Sequence, residues 1–411
     1  MILQFAFNNF RCVREDNELE FRKMNLKQHA DSLIKGEILP VAVIYGPNGG
    51  GKSTVLRALD YLFRLVGNPI RQAKMGQSFP VPTLTPFLLD KDSRDKPSEF
   101  QLIFTLNKDD MLERKYYIRV FRGEIIEESL YEKGARGPSS LVFQREADHI
   151  AFGSKYNGED YSKINDISKS VPLLSLLTIL FDESEIAKVG KWFTMTSLLD
   201  FAQRRIEEVL AGAFIAFIQD KEYKAYIDQI LQETQVVSGY QIIDNRLPTG
   251  ETRKAIYTKH QVNGSEYPLP IGEESAGTHK LFEVLPAVVA ALVQGTPAII
   301  DELDAKLHPK LLEFLIGLFT NPKTNEKGAQ LIFTSHDMYT LRSEVFRRDE
   351  IWFAAKNDEG STVLYSLGDI KGDDNRTTRS DLSFSKRYLD GRYGADPYYQ
   401  RIEGWEEPNG D

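Results

Sequence analysis

Three short stretches hold the residues whose types and spacing could do chemistry: "GPNGGGKST" at 46–54, "IIDELD" at 299–304 and "FTSHD" at 333–337. The first has the spacing G-x-x-x-x-G-K-[ST], from Gly46 through Gly51 to Lys52 and Ser53, with Thr54 following. Gly46, Gly49, Gly50 and Gly51, with Pro47 and Asn48 among them, let backbone N–H groups converge on phosphate oxygens without a Cβ in the way. A helix beginning near Ser53 adds its positive end to the same loop. In that geometry Lys52 neutralises the β- and γ-phosphates of a nucleotide, and Ser53 ligates Mg2+.

Ile299 and Ile300 read as the end of a buried strand that delivers Asp301 and Glu302 to its carboxyl edge, where ligands bind open α/β sheets. Two adjacent carboxylates can divide the work. Asp301 would hold the metal through its water shell, while Glu302 orients or deprotonates an attacking water. A bare Asp-Glu pair is ordinarily a solvated strand end; its place behind a phosphate loop makes the catalytic reading the better one. His336 closes another apolar strand, "LIFT", and reaches the same edge, within range to hydrogen-bond a γ-phosphate.

The elements that must carry these residues are legible in outline. "PVAVIYG" is a continuous β-branched run, the pattern of a strand buried on both faces of a parallel sheet, and "STVLRALDYLFRLV" has helical spacing. Strand, Gly-rich turn and helix thus come in the order a phosphate loop needs. "ILQFAFNNF" and "ELEFRKM" read as an opening strand and its hairpin partner, and "SEFQLIFTLN", "RKYYIRVFRG" and "SLVFQRE" as a short antiparallel meander on the surface of the core. "VPLLSLLTILF" is a further apolar element, and residues 196–235 read as helical and projecting. "GYQIIDN" and "RKAIYTKHQV" are strand-like, "IGEESAGTHKLFEVLPAVVAAL" helical, and "DEIWFAAKN" with "STVLYSLGD" suggests an edge hairpin. The boundaries drawn are an N-terminal lobe at 1–195, a helical insertion at 196–235, a C-terminal lobe at 236–368 and a tail of little regular structure at 369–411.

Composition bounds the partners. The 411 residues are 41% hydrophobic and 27% charged, a globular mix, and the net charge of −9 argues against coating of nucleic acid through phosphate contacts, though not against a local basic groove. A single cysteine, Cys12, cannot make an internal disulfide and fits a reducing compartment. No apolar run approaches the roughly 20 residues of a membrane span, and the first residues lack the form of a signal peptide. The expectation is a cytoplasmic protein that engages no membrane.

Together, the phosphate loop, "IIDE", "LDAKLHP" and "TSH" resemble the heads of ABC-type ATPases. The resemblance implies an α/β P-loop NTPase head with a mixed central sheet, flanking helices, an antiparallel β-meander and a helical insertion. It also implies ATP and Mg2+ as cofactors. Heads of this class carry a signature segment ahead of the Asp-Glu strand, and "EESAGTHKL" stands there, its Ser275 and Gly277, with Lys280 beyond them, matching the S-x-G core although it departs from the commoner LSGGQ form. By itself "SAG" would be a helix N-cap. In the class, the signature of one protomer closes over the γ-phosphate held by another, so the resemblance implies a head-to-tail homodimer, or a larger assembly, with ATP sandwiched between heads. The glutamine that usually senses the metal is not evident: 171–193 contains none, and Gln101 is a weak substitute.

More narrowly, the chain resembles the stand-alone AAA/ABC-type ATPases of prokaryotic abortive-infection and anti-phage operons, through "ILQFAFNNFRCV", "ESAGTHKLF", "DELDAKLHP", "FTSHD" and "RRDEIWFAAKN…FSKRYLDGRYGADPY". These are related to the heads of overcoming-lysogenisation-defect nucleases and of SMC-like repair ATPases. A Toprim nuclease domain like that of the former has little room after His336, which points to a separate effector, a nuclease among the candidates, with nucleic acid contacted indirectly. The tail, rich in Arg and Tyr, is either the dock for that effector or a wrapped C-terminus. The leading expectation is an ATP-driven switch in anti-phage defence. A DNA-clamping repair ATPase is the main alternative, and a transporter head a weaker one.

Overall fold

A computed structural model describes residues 1–79, 82–156, 164, 168–196, 198–200, 212, 214–246, 252–370 and 384–394. The chain begins with β1 (Ile2–Asn8) and β2 (Asn17–Glu20), then β3 (Val41–Tyr45) and the long helix α1 (Lys52–Met75). An antiparallel run follows: β4 (Ser98–Phe104), β5 (Leu112–Phe121), β6 (Glu124–Gly134), β7 (Ser140–Glu146) and β8 (His149–Phe152). Helices α2 (Leu173–Leu180) and α3 (Glu185–Trp192) lead to β9 (Leu198–Asp200) and α4 (Lys221–Thr234). Next come β10 (Gly239–Arg246), β11 (Thr252–Val262), β12 (Ser265–Pro270) and α5 (Ala276–Gln294). The last part holds β13 (Pro297–Asp301), α6 (Pro309–Thr320), β14 (Gln330–Thr334), β15 (Ile351–Lys356), β16 (Thr362–Ser366) and α7 (Phe384–Leu389).

The central sheet has the order β16-β15-β3-β14-β13-β9. Its pairs are parallel except the β15–β16 edge hairpin. Every residue of β3, β13 and β14 is buried, because alternate side chains enter different cores. Ala42, Ile44, Ile299, Ile332 and Ala354 face a first core shared with α1, α2, α3 and the antiparallel lobe. Val41, Val43, Tyr45, Ile300, Leu331 and Phe353 face a second, made with α4, α5 and α6. A strand dry on both faces must read as an unbroken apolar run. The result is an α/β fold with a mixed central sheet, flanking helices and an antiparallel lobe, the architecture expected.

The antiparallel lobe is a seven-stranded sheet, β2-β1-β4-β5-β6-β7-β8. The expected antiparallel meander is there as β4 to β8, enlarged by β1 and β2 at its edge, and its inner face closes the first core with Phe5, Phe100, Phe104 and Tyr116 fully buried. Gln330 stitches the two sheets together, its side-chain amide accepting from Ile2 N at 2.7 Å and donating to Ile2 O at 2.9 Å. Inside the lobe, the buried carboxylate of Glu128 accepts from Leu173 N at 2.6 Å and Leu174 N at 2.9 Å, capping α2, and takes the Tyr116 hydroxyl at 2.9 Å.

Three expectations change. The 196–235 stretch opens with β9, which pairs in parallel with β13, and α4 does not project: Ile227, Ile230 and Leu231 are buried in the second core. The expected helix over 201–211 lies outside the described residues. The tail is not wholly irregular either, since α7 packs on the head, with Tyr388 stacked on Phe353 at 5.4 Å and Tyr393 against the same ring at 5.2 Å. Helix α5 is long and apolar enough to cross a membrane by length and composition. Its Leu281, Leu285, Val288 and Leu292 fill the second core instead.

Candidate functional site

The three strands that carry the motifs are neighbours. β3, β14 and β13 run parallel in register, with Thr334 beside Ile44 and Phe333 beside Ile300, so Gly46, His336 and Asp301 leave the sheet along one carboxyl edge. β9 ends there too, with Asp200 in register with Asp301.

The loop from Gly46 to Gly51 wedges against the β15–β16 hairpin. A Cβ on Gly46 (φ 152°) would stand 2.2 Å from Ala354 O, and one on Gly51 (φ 103°) 2.2 Å from Thr362 Oγ1. Thus Gly46 and Gly51 are demanded by packing and by their positive φ. Thr362 also donates to Gly50 O at 2.9 Å, and Cys12 links it to the helix, its Sγ 3.0 Å from Thr54 Oγ1 and 3.3 Å from Thr362 Oγ1. Gly51 caps α1 with no side-chain acceptor, so the first N–H groups of the helix face the loop. Pro47, Asn48 and Gly49 form its outer turn, with Asn48 and Gly49 exposed.

Lys52 is 7% exposed and folds back on its own loop, donating to Gly46 O at 2.9 Å and Pro47 O at 3.1 Å. Burial lowers its pKa from the ordinary 10.5, while Asp301, Glu302 and Asp304 pull it back up. Ser53 donates to Asp301 Oδ1 at 3.1 Å, and Thr334 donates to the same oxygen at 2.6 Å. Asp301 is 1% exposed. One hydroxyl and one buried carboxylate fit a small hard cation that takes its other ligands from phosphate and water. Among the described residues, no group of three or more His, Cys, Asp or Glu could hold a metal by itself.

Glu302 follows with its backbone in the left-handed region, φ 52°. Its N–H donates to Thr334 Oγ1 at 2.8 Å, and its C=O accepts from Lys280 Nζ at 2.9 Å. His336 lies at the solvent edge, its backbone N–H donated to Asp304 Oδ2 at 3.0 Å; the other oxygen of Asp304 is buried without a partner. Burial, then the nearby Lys52, lowers the pKa of His336 below 6.5, so the ring is neutral at pH 7.

Ser275 and Gly277 stand apart from this cluster. Ser275 caps α5, accepting from Thr278 N at 3.2 Å, and is exposed. Among the described residues no hydrogen bond joins either to the 46–54 loop of the same chain. Gly277 instead abuts the loop after Glu302, where a Cβ would meet Lys306 O at 3.0 Å. Gln101 lies on β4, and among the described residues its side-chain amide reaches Gln4 Oε1 at 3.5 Å and none of the motif residues. Sequence reasoning missed Thr334 and Asp304 as supports, although both lie within the quoted motifs. It had no signal for Thr362, which arrives from a distant hairpin.

A model of the family described as "AAA domain, putative AbiEii toxin, Type IV TA system" matches residues 41–342, a span that holds all the motif residues above. No curated protein matches the chain. Solved structures similar to it include the SMC head domain from Thermotoga maritima, at 12% identity and a TM-score of 0.41, covering 90% of this chain and 99% of that one. The Smc head domain with a coiled coil and joint from Pyrococcus yayanosii is similar at 10% identity and 0.41, covering 95% and 99%. The recombination mediator protein RecF of the RecFOR pathway, with ATPrS, is similar at 13% identity and 0.31, covering 89% and 98%.

Proposed function

Because the chain belongs to the AAA-domain family described as putative AbiEii toxin, type IV TA system, we propose that it is an ATP-driven switch whose heads close in pairs around ATP and whose open and closed states regulate a separate effector. The observation that carries the ATPase chemistry is the alignment of Lys52, Ser53 and Asp301, with Ser53 and Asp301 3.1 Å apart at one sheet edge. In this reading the loop amides and Lys52 cradle the phosphates, Lys52 exchanging its two loop carbonyls for phosphate oxygens. Ser53 and Asp301 would hold Mg2+, which when bound supplies charge neutralisation across the phosphates. Glu302 orients the attacking water and accepts its proton, and neutral His336 hydrogen-bonds the γ-phosphate.

The two-chain arrangement is supported by the exposed position of Ser275 at the start of α5. A helix N-terminus presents N–H donors to an anion; among the described residues this one makes no hydrogen bond to the 46–54 loop of its own chain, and in our reading it serves the nucleotide of a second copy. The family description, a putative toxin of a type IV toxin–antitoxin system, supports a role in such a system; the anti-phage setting, the separate effector and the tail as its dock are our reading of the sequence. Lys52→Ala is expected to abolish ATP binding, while Glu302→Gln keeps affinity and loses turnover. Full turnover by the Glu302→Gln protein would overturn the assignment.

A further inference from the structure

Lys280 is the one lysine of the signature helix α5, five residues beyond the Ser275 cap and only 3% exposed. It does not face outward as a phosphate contact would. Its ammonium is turned into its own chain, 2.9 Å from the carbonyl of Glu302. That residue is held in a left-handed backbone conformation by two bonds, Thr334 on its N–H and Lys280 on its C=O. A conformation of this kind persists in a non-glycine residue only when its surroundings fix it. A second contact joins the same two segments, Gly277 against Lys306 O. The first turns of α5 thus brace the loop after β13 at two points.

We infer that Lys280 is a positioning residue that couples the two nucleotide sites: it ties the signature helix to the backbone of Glu302 in the same chain, so that engagement of Ser275 with a partner copy's nucleotide sets the carboxylate acting on this chain's own. The helix is the lever. Ser275 and Lys280 lie about 7.5 Å apart along its axis, and a helix packed on a core moves as a body rather than bending residue by residue. Burial lowers the pKa of the ammonium to about 8, with Glu283, Asp304 and Glu302 opposing the shift. A buried charge this costly is kept where it holds something in place. The inference rests on the two-chain reading above, and predicts a Hill coefficient for ATP turnover above 1.

The test compares Lys280→Met with Lys280→Arg in the full chain, reading ATP affinity, kcat and Hill coefficient, with circular dichroism as the check of fold. The Met protein is expected to bind ATP within about twofold of the parent, to lose about 10- to 100-fold in kcat, and to turn over with a Hill coefficient near 1. Arg, which keeps a donor, recovers most of the loss. Lys280→Gln, too short to reach the carbonyl, must show the same split as Met. In a Glu302→Gln background, Lys280→Met still pairs with ATP, because the clamp holds the backbone at position 302 of its own chain and takes no part in closure. Unchanged kcat in the Met and Gln proteins overturns the inference, as does loss of pairing in the Met/Gln double variant, which would make Lys280 a phosphate contact. A Glu302→Gln protein that stays single with ATP would sink the two-chain reading instead, and with it the coupling; the clamp on Glu302 is judged separately by kcat and the Arg rescue.

Discussion

Thr334 Oγ1 does two things at once: it donates to the buried Asp301 carboxylate and accepts the Glu302 N–H. Valine would keep its shape, leave the Glu302 N–H unpaired at a cost of about 1–3 kcal/mol, and reduce the donors on Asp301 Oδ1 to Ser53 alone. Thr334→Val is therefore expected to cut kcat about tenfold or more while ATP affinity changes little, checked by steady-state turnover beside a binding titration. Lys280 gives a pH signature. Its pKa is about 8 in the folded chain against an ordinary 10.5, so between those values the unfolded chain holds the extra proton and stability rises with pH. The parent should gain on Lys280→Met by up to about 1.4 kcal/mol per pH unit in that window and not below it, read from urea unfolding at pH 7, 8 and 9. At this scale the sequence was informative where one short motif carries both residue type and spacing, as with Lys52, Ser53, Asp301 and Glu302. Contacts that cross the chain were not legible. Thr362 meets Gly50 across 312 positions, and Cys12 meets Thr54 across 42.

The strands that carry the motifs were readable because a dry parallel strand leaves a continuous apolar run, as in β3 and β13. Others were hidden by identifiable physics. β6 is missing from the sequence reading because "EIIEESLYEKG" lacks clean alternation, and its pairing with β5 slips between Arg119 and Val120, where a bulge resets the faces. β9 is three residues long inside a stretch of helical character, and only its pairing with β13 makes it a strand. β12 holds Pro268 and Pro270, which argue against a strand except at a sheet edge, where it lies. Glu128 was equally hidden, being a charge on a strand that turns out to cap a helix 45 positions later. Glu128→Ala would strand two helix N–H groups and the Tyr116 hydroxyl in a dry core. The expected cost is about 3 kcal/mol or more, seen as a lower urea midpoint, whereas ATP affinity in the folded fraction stays close to the parent's.

Across the whole molecule, one sheet divides two cores and gathers the motif edge of three strands, while the antiparallel lobe and the β15–β16 hairpin hold the phosphate loop from behind. The wedge is tight enough that Gly46→Ala, placing a Cβ 2.2 Å from Ala354 O at a φ of 152°, should displace the loop. Calorimetry is expected to show ATP affinity lowered at least tenfold in that variant. The sequence conveyed this architecture through its motifs and buried strands, but not that α4 and α7 pack onto the second core, because an amphipathic stretch does not say which surface it covers. The arrangement leaves Ser275 at an exposed helix start, apart from the phosphate loop of its own chain.

The central claim is that a complete catalytic centre needs two copies, the phosphate loop of one and the Ser275 helix of the other. The most direct measurement is the solution mass of Glu302→Gln by light scattering, with and without ATP, beside the Ser275→Arg/Glu302→Gln double variant. The account predicts a two-chain mass only for Glu302→Gln with ATP, and a single-chain mass for the double variant although it still binds nucleotide. A single-chain mass for Glu302→Gln at saturating ATP, or pairing that survives Ser275→Arg, would contradict it.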